Sequence, residues 1–269
     1  MAISSIQDLG ERFPQISGLV YLAEGGQKVV LAGVHIDHGD VVLKLTSQVD
    51  DRTRREIDIV TSKKFPGVPV LYEWGIENFG YGEVWYIIEE RVKGHSLRSV
   101  LQRKGSLDFQ KATKLLGFLL QSVKRFEAEN LVHRDIKPEN IMVADDGRLF
   151  ILDFGIARAL DQTSLTATEV NFGPATLGYA ATEQFRNMKK NVDSRADLFS
   201  IGVVFYECMT GANPFIEGAC GPLDVIKRCE NQMVKKLDMI QDKNAQLSAF
   251  IDTLMQKWPS RRPRTAAEA

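Results

Sequence analysis

Apolar and polar positions alternate in short runs through the first part of the chain. Gly18 to Ala23, Lys28 to Val34, Val41 to Leu45, Val70 to Trp74 and Val84 to Ile88 carry the two-residue period of strands. Turn chemistry separates them at Glu24-Gly25-Gly26 and at Asp37-His38-Gly39-Asp40. Between the third and fourth runs, the charged segment from Asp50 to Lys64 puts Ile57 and Val60 on one helical face. These patterns predict a small antiparallel sheet with one helix. From about residue 95 the period changes. Ser96 is placed to cap a short helix ending near Gln102. Ala112, Leu115, Leu116, Leu119, Leu120, Val123 and Phe126 then recur at helical spacing, which predicts a buried helix. Asp197 opens another strongly apolar helical run, and Leu247, Phe250, Ile251 and Leu254 belong to further helical structure. The fold class is α+β, strands first and helices after.

Composition narrows the class without assigning a function. With 269 residues and a net charge of −1, the chain has ample apolar material for a core and no bias toward nucleic acid or anionic membrane. Short basic clusters at Arg52 to Arg55 and Arg261 to Arg264 read as solvated faces. Cys208, Cys220 and Cys229 lack metal-type spacing and suit a reducing compartment. The amino terminus carries Asp8, Glu11 and Arg12 without the apolar run of a signal peptide, and no stretch is apolar enough to span a bilayer. A cytoplasmic location is the expectation.

The chemistry is concentrated between Leu131 and Gly155. His133-Arg134-Asp135 is followed by Lys137 and Asn140, then by an acidic turn at Asp145-Asp146-Gly147, an apolar run and Asp153-Phe154-Gly155. Asp153 and Asn140 are hard oxygen donors of the kind Mg²⁺ takes when it also binds phosphates. Asp135 remains as a carboxylate able to accept a hydroxyl proton, and Lys137 as a charge to face a phosphoryl group. In this order the series resembles the signature of serine/threonine protein kinases, most closely the bacterial, eukaryotic-like members. The resemblance runs from about residue 18 to the end of the chain.

The resemblance implies a bilobal protein-kinase fold. Residues 1–90 would form the small antiparallel β-sheet lobe with one main helix, and residues 91–269 the larger, mostly helical lobe of the same catalytic domain. The chain stops barely into the family's last helix, which suggests a piece of something longer. Leu22, Ala23, Gly25, Gly26, Lys28 and Val30 stand where the family keeps a glycine-rich loop over the ATP phosphates. Only the middle glycine of that pattern survives, as Gly25; Ala23 and Lys28 take the outer places, and Lys28 is expected to supply charge where close backbone contact is lost. Val42 lies on the strand that carries Lys44, which would contact the α- and β-phosphates and pair with Glu56. Glu90 and Val92 would offer backbone groups to adenine, and Met142, with Leu152, its floor. The position behind the adenine falls to Glu89 in an ungapped register and to Ile88 after a one-residue slip; the sequence leaves the choice open.

For the reaction itself, the resemblance makes Asp135 the base and Lys137 a stabiliser of phosphoryl charge, with Asn140 and Asp153 holding Mg²⁺ or, in its place, Mn²⁺. Thr163, Ser164, Thr166 and Thr168 fall in the activation segment, where a phosphate would pair with Arg134. Thr176 would bond near Asp135 and Lys137. The family's A-P-E becomes Ala181-Thr182-Glu183, with Glu183 expected to pair with Arg262, and Asp197 is expected to tie down the catalytic loop. The implied activity is ATP- and Mg²⁺-dependent transfer of the γ-phosphoryl group to Ser or Thr hydroxyls of proteins, this chain included through trans-autophosphorylation. Two rivals stand beside it. A pseudokinase, acting as a nucleotide-binding or interaction module, is favoured by the eroded glycine loop and the missing proline, and opposed by retention of Lys44, Asp135, Asn140 and Asp153. A small-molecule kinase of related fold is opposed by Lys137 and the Thr176 segment.

Overall fold

The computed structural model describes residues 6–25, 28–46, 51–79, 82–153, 177–185, 192–237 and 245–269. These fall into two compact units, one up to Lys93 and one from Gly94 onward.

The first unit is built on an antiparallel sheet. Helix α1 (Ile6–Arg12) precedes β1 (Ile16–Gly25), β2 (Lys28–His35) and β3 (Gly39–Thr46); α2 (Asp51–Lys63) follows, then β4 (Leu71–Asn78) and β5 (Glu83–Glu90). The strand order is β1-β2-β3-β5-β4, so β3 and β5 are neighbours although α2 and β4 separate them in sequence. The strands and the helix expected from the alternating runs are present, most of them extended by one or more residues. Helix α1 is an addition: at seven residues it is too short to show a repeat, yet Leu9 and the following Phe13 are buried.

Side chains alternate between the two faces of the sheet. Leu31, Leu43, Leu45 and Ile88 share one buried cluster with Leu9 and Phe13. Ile87 instead packs with Leu71 and with Ile57 of α2. Each such aliphatic side chain contributes about 1.5–3 kcal/mol by leaving water. Register then fixes which residues accompany Ile87. Lys44 stands opposite Val30 on β2 and Ile87 on β5, Val42 opposite Glu89, and Ala23 opposite Val30. Cross-strand partners share a face, so Ala23, Val30, Val42, Lys44 and Glu89 all lie on the α2 side.

In the second unit, β6 (Gly94–Ser96), β7 (Ile141–Ala144) and β8 (Leu149–Ile151) form a three-stranded antiparallel sheet in that order. Ser96 caps α3 (Leu97–Lys104), its hydroxyl accepting the Ser99 N–H, and Asp108 caps α4 (Phe109–Ala128) by accepting the Lys111 N–H at 2.8 Å. The apolar positions foreseen on α4 are its buried stripe, with Leu120 half-buried at the margin. After α5 (Thr182–Phe185) come α6 (Arg195–Thr210), α7 (Pro222–Asn231) and α8 (Gln246–Leu254), with 3-10 turns at Pro138–Asn140 and Pro259–Arg261. Helix α6 is buried from Ala196 to Cys208 and packs against both α4 and α8. Gly202 permits that approach, since a Cβ there would come within 2.8 Å of Met255 Cγ and 3.0 Å of Leu254 Cβ.

Residues late in the chain close this unit. Arg262 meets Glu183 through two parallel bonds of 2.6 and 3.1 Å, as expected from the sequence, and also donates to the carbonyls of Arg195, Gln256 and Lys257. Burial pulls the guanidinium pKa down, and the Glu183 carboxylate opposes the shift. The Ala266 N–H bonds to the Glu127 carboxylate of α4 at 2.9 and 3.0 Å. No described helix is long and apolar enough to cross a membrane.

Candidate active site

Helix α4 delivers the chain to a buried loop. Asn130 and Arg134 adopt positive φ of 56° and 66°, which turns the backbone sharply on either side of His133. Asp197, wholly buried at the start of α6, accepts the N–H groups of His133 and Arg134 at 2.8 and 2.7 Å, the tie expected of it. His133 braces the loop from the other side. Its Nδ1 accepts the Asp135 N–H at 3.3 Å, so Nε2 carries the proton and donates it to the Leu152 carbonyl at 2.9 Å.

Asp135 emerges from this frame with its side chain defined. Lys137 Nζ lies 2.9 Å from Oδ2, and Asn140 Nδ2 donates to the same oxygen at 2.8 Å and to the Asp135 carbonyl at 2.9 Å. The turn Pro138–Asn140 returns Asn140 to this position, and the Leu152 N–H bonds to the Asn140 carbonyl at 2.8 Å. Asp153 therefore follows directly on a residue bonded to Asn140, in a left-handed conformation with φ 56°. Asp135, Lys137, Asn140 and Asp153 are thus gathered by one hairpin and one loop.

The donor chemistry suits a hard cation. Both bonds of Asn140 Nδ2 go to Asp135, which leaves its amide oxygen as the end available to a metal. One amide oxygen and the Asp153 carboxylate match what Mg²⁺ accepts when phosphate oxygens and water complete its shell. Among the described residues, no group of three or more His, Cys, Asp or Glu side chains is arranged for a metal, so the fit is to a cation shared with a phosphate ligand.

Arg98 of α3 supports the same region and carried no signal in the sequence. It donates to Glu139 in the 3-10 turn at 2.8 Å, to Glu207 of α6 at 2.7 Å and to the Tyr179 hydroxyl, while Tyr179 donates to Glu207. Burial, followed by the Glu207 charge, raises the Tyr179 pKa well above a tyrosine's usual range. The phenol therefore stays a donor.

In the first unit, Lys44, Glu56 and Glu89 are buried charged residues. Lys44 forms an ion pair with Glu89, a partner that the sequence does not single out. Glu56 lies on α2 next to Ile57. The β3–β5 register also decides the question left open by the sequence, placing Glu89 on the face of Lys44 and Ile88 in the opposite core. Glu90 uses its N–H on the Val70 carbonyl at 2.8 Å, and its carboxylate accepts the Val70 N–H at 3.2 Å. That N–H is committed within the unit. Val92 is half-buried beyond β5, Leu22 is half-exposed, and Met142 is half-buried on β7 of the second unit. Gly25 and Lys28 pair across the β1–β2 hairpin. Gly26, Phe154, Gly155, Thr163, Ser164, Thr166, Thr168 and Thr176 lie outside the described residues.

A model of the protein kinase domain matches residues 20–269. The serine/threonine-protein kinase PknB of Mycobacterium leprae is 32% identical over 219 residues, covering 81% of this chain and 34% of the relative. The PknB of Mycolicibacterium smegmatis is 31% identical with the same coverage. The probable serine/threonine-protein kinase PknB of Bifidobacterium longum is 37% identical over 61% of this chain and 24% of its own length. The chain spans about a third of the length of the first two relatives. With almost its whole length matched, the chain belongs to the protein kinase family, in the bacterial, eukaryotic-like serine/threonine branch that its motifs resemble.

Proposed function

We propose that this chain transfers the γ-phosphoryl group of ATP to Ser or Thr hydroxyls of protein substrates, another copy of itself among them, in the cytoplasm. The observation that carries the reading is the setting of Asp135. Among the described residues, its side-chain contacts from Lys137 and Asn140 both fall on Oδ2. Oδ1 is thereby the oxygen that receives the acceptor hydroxyl, orients it and takes its proton, a contribution typically worth about 10²–10⁴-fold. Lys137, already at the carboxylate, faces the incoming phosphoryl oxygens as charge develops there. Asn140 and Asp153 would hold Mg²⁺, which, when bound, neutralises and aligns the phosphates. Lys44 takes the α- and β-phosphates and exchanges part of its pairing with Glu89 for them, with Glu56 assigned to steady it. Ala23, Val30, Val42 and Met142 offer the apolar surround for adenine, with backbone at Glu90 and Val92 giving its polar contacts. Leu22, Gly25, Gly26 and Lys28 belong to the loop over the phosphates, and Mn²⁺ is a workable substitute for Mg²⁺.

The test is transfer of label from γ-labelled ATP to the chain itself and to a mixed Ser/Thr peptide library, with Mg²⁺ and with chelator. Label is expected on Ser and Thr, abolished by chelator and by Asp153→Ala, and lowered at least about 10²-fold by Asp135→Ala. Nucleotide binding without any transfer in the wild type would overturn the proposal.

A further inference from the structure

A groove with its own chemistry lies in the second unit, and the site described above uses none of its lining residues. Its volume is about 690 Å³, within the range of sites that hold ligands. One wall is α3, the other the start of α4, and the floor is the β7–β8 hairpin. The apolar lining comes from Val100, Leu107, Leu115, Val143 and Leu149. Four of these are half-buried and Leu115 is buried, so the apolar surface is sunk below the rim.

The rim is cationic. Arg103 and Lys104 stand at the end of α3, and Lys111 and Lys114 at the start of α4. Lys111 is neutralised by Asp108. Arg103 donates to the Ser99 carbonyl and keeps its charge. Lys104 and Lys114 make no hydrogen bond or ion pair with any described residue, and the one carboxylate in the lining is Asp145 on the hairpin turn. Three uncompensated cations on two facing walls therefore look onto one acid.

From this complementarity, we infer that the groove docks a short segment of a partner protein in which two aliphatic side chains are interspersed with Asp or Glu. The dimensions agree. The lining residues of α3 run from Leu97 to Lys104, about 10 Å along the axis, which spans about three residues of extended chain and so seats two alternate aliphatic side chains, with acids between and beside them. A peptide can sink alternate aliphatic side chains between the helices while its carboxylates meet Lys104 on one side and Lys114 on the other. A lipid surface is the poorer occupant. Among the described residues of this unit the large exposed hydrophobics are Leu223, Met233 and Trp258, none of them in the groove lining, so no described side chain there projects to enter a bilayer.

The probe is a phage-displayed library of random dodecapeptides, panned on the full chain and counter-selected on the Lys104→Glu/Lys114→Glu variant. Both lysines are exposed and remote from the proposed chemistry, so autophosphorylation by the variant is expected to match wild type and to report its folding. Enriched peptides should combine aliphatic residues with Asp or Glu and weaken at high salt. They should bind the double variant about tenfold or more worse by fluorescence polarisation, with affinity restored when their acids are changed to Lys. The inference is overturned by failure to enrich, by enrichment of basic or charge-free sequences, by affinity indifferent to the charge reversal, or by wild-type binding to phosphatidylserine vesicles in place of any peptide. Because the readout is binding, it stands or falls separately from the catalytic proposal.

Discussion

Lys44 and Glu89 make an ion pair between two largely desolvated groups, and that has consequences at both ends. Breaking a buried ion pair by removing one partner costs as much as about 3–5 kcal/mol. Glu89→Gln is therefore expected to lower the melting temperature by several degrees. It should also lower the KM for ATP, because the phosphates no longer compete with a carboxylate for the ammonium; steady-state kinetics beside thermal denaturation would show both. An unchanged KM would mean that Glu89 does not restrain Lys44. Asp197 gives a cleaner stability prediction. Its two bonds to loop amides are buried, so Asp197→Ala should cost about 2–6 kcal/mol by leaving two donors unsatisfied, measured by urea denaturation. The sequence made Asp135, Asn140 and Asp153 legible because their order along one short stretch is itself the pattern. Glu89 as the partner of Lys44 was not legible in the same way. Which carboxylate meets a buried cation depends on strand register across β3 and β5, and a one-residue slip exchanges it for an aliphatic side chain.

Among elements, the long periodic ones were readable and the short ones were not. Helix α4 announces itself over its full length because its apolar stripe repeats. Helix α1 has seven residues and gains its stability from burying Leu9, with Phe13 just beyond it, against the sheet. That is a tertiary effect with no local signature. The crossing of α6 with α8 rests on a feature equally silent in a lone sequence, the missing side chain at Gly202. Gly202→Val must push against Met255 and Leu254, at an expected cost of about 1–3 kcal/mol in urea titrations. The same substitution at Gly117, where a Cβ meets nothing within 4 Å, should cost less than half as much.

Across the chain as a whole, the three cysteines divide by environment. Cys220 is exposed, whereas Cys208 and Cys229 are buried. Burial pushes the Cys229 thiol up to about 12, and its S–H donates to the Leu177 carbonyl. The unfolded chain releases that proton near pH 8.5, so the folded state holds a proton that the unfolded one has lost. Stability from this group is complete below about pH 8.5 and is lost as pH rises toward about 12. Melting curves of wild type and Cys229→Ala should converge over that window, and iodoacetamide at neutral pH should label Cys220 alone until denaturant is added.

The ties made by Arg262 and Ala266 bear on the order of synthesis. A ribosome makes Glu127 and Glu183 long before the guanidinium and the amide that satisfy them. Until residue 266 has cleared the exit tunnel, the helical unit carries a buried acid without its counter-ion and cannot settle. Folding of that unit is therefore expected to lag translation and to finish in one late step, with nascent chains halted before residue 262 remaining open to protease.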